Sequence, residues 1–257
     1  TLFIIAQFWQ FVNHRFTFFE NTEKRLTKQF FCVNIKKMIE RRISAMKKAV
    51  LFDLDGTLWD SSQSVTNSWN DVLAKYPEAP QITLHDMHGF MGKQLDEIAR
   101  IMMPSLPESK RMSIMNECMD YEVEYLKERC EAVLYPKLRE TLERLAQDYK
   151  LMIVSNCQDG YIQIFLEFSG LGGLFSDFES AGKTGLSKGE NNRLIIARNG
   201  IEKAVYVGDT QGDLNSADFA GIPFVFAEYG FGAADRKTES VKNFAELPEI
   251  LTKIFAE

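Results

Sequence analysis

The chain has 257 residues, 45% of them apolar and 26% charged, enough to bury the core of one large or two small domains. That balance excludes a disordered, collagen-like or disulfide-stapled protein. Four cysteines, Cys32, Cys118, Cys130 and Cys157, stand far apart with no Cys-x-x-Cys pair, which points to a reducing cytoplasm and away from a zinc knuckle. The net charge of −6 is unevenly spread: residues 1–45 carry eight basic against three acidic side chains, leaving 22 against 33 for the rest. So acidic a body argues against a nucleic-acid-binding surface.

Residues 1–45 differ from the remainder in kind, holding eight of the 20 phenylalanines among Lys, Asn and Thr with no sustained helical or strand period. The uncharged stretch from Thr1 to Asn13 is broken by Gln7 and Gln10 and falls short of the roughly 20 residues that span a bilayer. It lacks the basic start and small-residue cleavage site of a signal peptide. Three readings stand for this extension of doubtful origin: translated sequence upstream of a true start at Met46, a basic and aromatic arm that touches a membrane or partner, or a helix packed on the core. The remainder offers no membrane-contact signal.

From Lys48 the pattern sharpens. Ala49-Val50-Leu51-Phe52 predicts a buried strand, and it runs into Asp53-Leu54-Asp55-Gly56-Thr57-Leu58. Alone, this would also suit a strand end with an Asx turn and a helix cap. The next stretch, Leu58 to about Ala132, keeps helical spacing: Val65, Trp69, Val72, Leu73 and Tyr76, then Leu95, Ile98 and Met102, then Met112, Met115, Met119, Val123 and Leu126. Within it, His88-Gly89-Phe90-Met91-Gly92-Lys93-Gln94 reads as a glycine-punctuated loop before a helix. Trp59 either lines the hinge of this block or simply packs there.

Pro136 opens a helix with Leu138, Leu142 and Leu145 on one face, and Leu151-Met152-Ile153-Val154 predicts a second strand stopping at Ser155-Asn156. Helical patterns follow at Ile162, Phe165, Leu166 and at Leu194-Ile195-Ile196. A third strand, Ala204 to Val207, ends in Gly208-Asp209-Thr210-Gln211-Gly212-Asp213, and a helix through Ala217 to Ala220 closes at Gly221 before a fourth strand at Ile222 to Phe226. This rhythm predicts a doubly wound, parallel α/β sheet. In such sheets ligands bind beyond the carboxyl ends of the strands, where Asp53, Asp55, Ser155, Asp209 and Asp213 would all converge. Clustered acids repel unless a cation joins them, and all-oxygen ligands suit a hard ion such as Mg²⁺.

With these motifs in order, and with Lys188 ahead of a helix, the sequence resembles the haloacid dehalogenase superfamily in its phosphatase branch, from Met46 to about Gly232. The resemblance implies a helical cap at 60–131 inserted after the first strand, with 46–59 and 132–257 as a catalytic core. It implies Asp53 as nucleophile, Asp55 as general acid and then base, and Lys188 offsetting charge, with Thr57, Ser155 and Asn156 around the phosphate. Asp53, Asp209 and the backbone carbonyl of Asp55 would hold Mg²⁺, with Asp213 in the same patch. Lys183 is the alternative to Lys188, which better fits the family because it directly precedes a helix, although Gly189 stands where the family often has Pro.

The function implied is Mg²⁺-dependent hydrolysis of a small phosphate monoester through an aspartyl-phosphate, in the cytoplasm, with a small phosphorylated metabolite as partner. His88 and Lys93 are candidates for substrate specificity in the cap. The alternatives are a sugar phosphomutase with the same core motifs and a non-catalytic phosphate-binding module. Neither substrate nor oligomeric state can be read from the chain.

Overall fold

The computed structural model describes residues 47–256, so the readings made for residues 1–45 lie outside the described residues. Strand β1 (Lys48–Phe52) is followed by a tight turn and by the two-residue β2 (Trp59–Asp60). Four helices come next: α1 (Ser62–Leu73), α2 (Leu84–Phe90), α3 (Leu95–Met102) and α4 (Glu108–Arg129). The chain returns through β3 (Val133–Leu134), which pairs antiparallel with β2 and so brings the two ends of the insertion together. Then come α5 (Leu138–Leu145), β4 (Lys150–Ser155), α6 (Tyr161–Ser169), β5 (Phe175–Ser180), α7 (Ala181–Thr184), α8 (Lys188–Arg198), β6 (Lys203–Gly208), α9 (Gln211–Ala220), β7 (Phe224–Ala227), β8 (Glu239–Val241) and α10 (Leu247–Ile254).

Six strands form one parallel sheet in the order β5-β4-β1-β6-β7-β8. Strand β1 sits in the middle, flanked by β4 and β6, and all three are buried along nearly their whole length. That is why they read as unbroken apolar runs rather than as alternation. Apolar side chains of alternating parity fill the two faces: Val50 and Phe52 belong to the larger core, Ala49 and Leu51 to a smaller one beneath α8 and α9.

Four strands fall where the apolar runs predict them, although β7 begins at Phe224, after Pro223, which has no N–H to add to a ladder. Strands β5 and β8 and helix α10 carry no such run. Strand β5 is an edge strand reading Phe-Ser-Asp-Phe-Glu-Ser, and its Asp177 and Glu179 both pair with Arg198 of α8, an arrangement sequence alone does not announce. The loop expected at residues 88–94 is also shorter than its glycines suggest. A capping box between Thr83 and Asp86 starts α2, which runs through His88 and Gly89 to Phe90, and only Met91 to Gln94 lie outside helix.

No helix among the described residues is long and apolar enough to cross a membrane. Tyr206 of β6 is fully buried and donates its hydroxyl to the Val154 carbonyl of β4 at 2.7 Å, across the intervening β1. Tyr206→Phe is expected to lower the unfolding free energy by about 1 kcal/mol, the ordinary worth of a buried hydrogen bond, measurable as an earlier midpoint in urea.

Candidate active site

The carboxyl edge of the sheet gathers the polar ends of β1, β4 and β6. Asp53 follows β1 directly, and its N–H donates to the Val207 carbonyl at 2.9 Å, so its position is tied to the ladder rather than to a free loop. The chain then reverses over Gly56, where φ is +82°. A Cβ there would lie 2.3 Å from Asp209 Oδ2, so the turn needs glycine for space as well as for its backbone angle.

Lys188, at the start of α8, reaches in from the opposite side. Its ammonium donates to Asp53 Oδ1 at 2.9 Å and to Asp213 Oδ1 at 2.7 Å, and all three residues are buried. Burial works to discharge the lysine, but the carboxylates of Asp213 and Asp53 outweigh it and hold the ammonium above its ordinary range. Lys183, the alternative, is half-exposed and pairs with Glu179, so it is Lys188 that joins this group.

Asp213 stands at the third position of α9, where a capping box binds it to Thr210. The Thr210 hydroxyl and N–H donate to Asp213 Oδ2 at 2.7 and 3.0 Å, leaving Oδ1 for the lysine. One carboxylate thus caps the helix with one oxygen and meets the lysine with the other.

Asp209 is fixed by different groups: the Phe231 N–H donates to Oδ2 at 2.8 Å and the Thr57 hydroxyl to Oδ1 at 3.2 Å. A Cβ on Gly230 would lie 2.2 Å from Asp209 Cβ, so that loop also closes on the aspartate as only glycine can. Thr57 itself is fully buried, with its hydroxyl turned to Asp209.

Acidic oxygens of Asp53, Asp209 and Asp213 lie within 4.8 Å of one another. Burial and the charge of Asp213 push the Asp209 carboxyl up to about 7, and burial with the same neighbour holds Asp53 well above the carboxylate range against the pull of Lys188. Three buried acids against one lysine leave negative charge unmatched. The donor set fits a hard divalent cation, which would favour the ionised forms.

Asp55 has its own environment. Three donors converge on its Oδ1: Ser61 Oγ at 2.6 Å, Trp59 Nε1 at 2.8 Å and the Tyr161 hydroxyl at 2.9 Å. Burial raises its pKa, and these three hydrogen bonds restrain the rise. Trp59 thus both packs edge-on against Tyr161 and Phe165 of α6 and donates to Asp55. Tyr161 and Ser61 have no sequence signal, because their hydroxyls reach Asp55 only through the meeting of α6 with the β2 turn.

From β4, Ser155 is buried and Asn156 donates to the Gly92 carbonyl of the insertion at 3.1 Å, while the buried Asn156 Oδ1 has no partner. A cavity of about 100 Å³ lies here, lined by Asp53, Asp55, Ser155, Asn156 and Lys188 from the sheet side. Glu122 of α4 lines it from the insertion. A larger cleft of about 600 Å³ shares the loop residues Met91, Gly92 and Lys93 with that cavity. His88 and Thr210 line this cleft too. His88 stacks on Phe231 with ring centroids 4.8 Å apart, and Lys93 pairs with Glu97 at 3.0 Å.

A doubly wound α/β sheet with a helical insertion, and with paired carboxylates and a buried lysine at its carboxyl edge, defines an enzyme of the Rossmann-like class. Residues 50–227 match the family model described as haloacid dehalogenase-like hydrolase, and the chain belongs to that family. The chain is 29% identical over 222 residues to a phosphoglycolate phosphatase of Haemophilus influenzae (strain 86-028NP), covering 79% of this chain and 98% of the relative. A crystal structure described as a predicted phosphoglycolate phosphatase from Haemophilus somnus 129pt superposes with a TM-score of 0.68 at 26% identity, over 80% of this chain and 98% of that one. A haloacid dehalogenase-like family hydrolase of Streptococcus pneumoniae shares the fold, with a TM-score of 0.69 at 22% identity over 80% and 99% of the two chains.

Glu122 is a buried acid that lines the cavity and that sequence reading passed over, hidden in a helix rich in surface charges. Burial pushes its pKa from 4.5 up to about 7, with Asp55 adding to the rise and hydrogen bonds from Gln158 and Trp69 opposing it. An acid with a raised folded pKa binds its proton more tightly when folded, so stability is lost as pH climbs from about 4.5 to about 7. Glu122→Gln removes that loss: between pH 5 and 8 its unfolding free energy should gain on the wild type by up to about 3 kcal/mol in parallel denaturant melts. A pH-independent difference would mean that Glu122 titrates as an ordinary acid.

Proposed function

We propose that this chain is a phosphatase that hydrolyses a small phosphate monoester through an aspartyl-phosphate on Asp53, with Mg²⁺ as cofactor. The observation that carries the reading is the separation of two neighbouring carboxyls into unlike environments. Asp53 shares an ammonium and an acidic cluster, whereas Asp55 sits among three hydrogen-bond donors with its pKa raised. Nearby acids with different surroundings suit different roles, here nucleophile and proton donor.

In the first half-reaction a carboxylate oxygen of Asp53 attacks phosphorus as the bond to the leaving oxygen breaks, and Asp55 delivers its proton to that oxygen. In the second, the Asp55 carboxylate takes a proton from water as the water oxygen attacks phosphorus and the bond to Asp53 breaks. Inorganic phosphate departs and both aspartates return to their starting forms. Lys188, Ser155 and Asn156 hold the phosphoryl oxygens, with the Asn156 amide positioned by its hydrogen bond to the Gly92 carbonyl. Mg²⁺ held by Asp53, Asp209 and the Asp55 backbone carbonyl, with Asp213 in the same patch, would lower the repulsion between anionic nucleophile and anionic substrate. Residues 60–131 act as the cap that excludes water, over a core of 46–59 and 132–257.

Asp53→Asn should abolish p-nitrophenyl phosphate turnover without loss of folding, and EDTA should silence the wild type until Mg²⁺ is restored. Metal-independent hydrolysis would overturn the assignment. Asp55→Asn should still bind metal yet turn over esters of poorly departing alcohols about 10²- to 10⁴-fold more slowly. Steady-state rates across leaving groups of rising pKa check this, since an activated phenolate needs the proton least.

A further inference from the structure

Glu122 occupies an unusual place in the insertion. It is 3% exposed and lines the cavity that contains Asp53, Asp55 and Lys188. Trp69 Nε1 of α1 donates to its Oε2 at 2.5 Å, and Gln158 Nε2, in the loop after β4, donates to its Oε1 at 2.9 Å. A carboxylate offers about four acceptor sites, so two remain for donors arriving from the cavity. The insertion's other charged residue on this wall is Lys93, whose ammonium pairs with Glu97 at 3.0 Å. Lys188, the remaining cation lining the cavity, is committed to Asp53 and Asp213. The rest of this wall is apolar, from residues such as Met87, Phe90, Leu95 and Met119.

Resting on the phosphatase reading, we infer that Glu122 is a specificity residue: it accepts hydrogen bonds from hydroxyl groups of the leaving alcohol and rejects a leaving group that carries a carboxylate. The substrate class is the phosphate ester of an uncharged polyol with an apolar edge, in contrast to a phosphorylated hydroxy acid. Two carboxylates in a buried pocket without a cation between them repel, whereas a hydroxyl there satisfies an acceptor that water cannot freely reach. Like-charge exclusion of this kind is how a site discriminates between ligands of similar size.

The test compares kcat/KM at pH 8.5 with Mg²⁺ for glycerol 2-phosphate, a carbon-chain polyol phosphate such as erythritol phosphate, and 2-phosphoglycolate. Hydrolysis of p-nitrophenyl phosphate by the same wild-type preparation separately tests the phosphatase reading, and its absence overturns that reading alone. With that hydrolysis present, the wild type should favour the better polyol phosphate over 2-phosphoglycolate by about tenfold or more. Glu122→Gln should shrink the ratio toward one, mainly by raising kcat/KM for 2-phosphoglycolate. Gln158 can turn its amide to meet the new side chain, and a thermal melt verifies folding. Equal or better use of 2-phosphoglycolate by the wild type overturns the inference. A ratio unchanged in folded Glu122→Gln overturns it equally.

Discussion

The ammonium of Lys188, buried between Asp53 and Asp213, is the contact on which the site is built. A charge this deep is tolerated only with matched partners, and removing one member of such a group typically costs about 3–5 kcal/mol. The lysine joins the start of α8 to the end of β1 and the start of α9, so it fixes three elements that are distant in sequence. Its single charge does not neutralise Asp209 as well. That residue is instead caged by Gly56 and Gly230 and hydrogen-bonded by Thr57 and the Phe231 N–H, and the excess negative charge is what suits the cluster to a divalent cation.

The loop after β4 then couples this charged base to the helical insertion. Ser155 faces the acids, Asn156 donates to the Gly92 carbonyl, and Gln158 donates to Glu122, so one short segment touches both walls of the cavity. A second link runs through Phe231, whose ring stacks on His88 while its N–H holds Asp209. Gly92 presses in a similar way against Thr210, where a Cβ would come within 2.9 Å of the threonine methyl. Displacement of the insertion would thus disturb the hydrogen bonding of Asn156 and the contacts around Asp209 together. The chemistry and the closure of the cavity are properties of one network.

The strongest signals in the sequence belong to the central strands. Strands β1, β4 and β6 are buried on both faces, so their apolar runs and the polar residues that end them are visible without coordinates. The edge strands β5 and β8 are not, because an edge strand can carry charge: Asp177 and Glu179 are matched by Arg198 from a helix that follows later in the chain. The end of α2 was hidden for a related reason. Gly89 lowers helix propensity by about 1 kcal/mol, but the Thr83–Asp86 cap and burial of Met87 and Phe90 carry the helix past it.

By itself the sequence determined the α/β class, the helical block after the first strand and the meeting of Asp53, Asp55, Ser155, Asp209 and Asp213 at one edge. Those follow from short-range periodicity and from the rule that parallel strands end together. Tertiary structure alone decided that Lys188 bridges Asp53 and Asp213, that Tyr161 and Ser61 join Trp59 on Asp55, and that Glu122 faces the cavity. A side chain's burial and partners depend on what elements far along the chain bring against it. Periodicity marks the face of a helix that is buried, but it carries no information about which acid on that face meets a cavity rather than water.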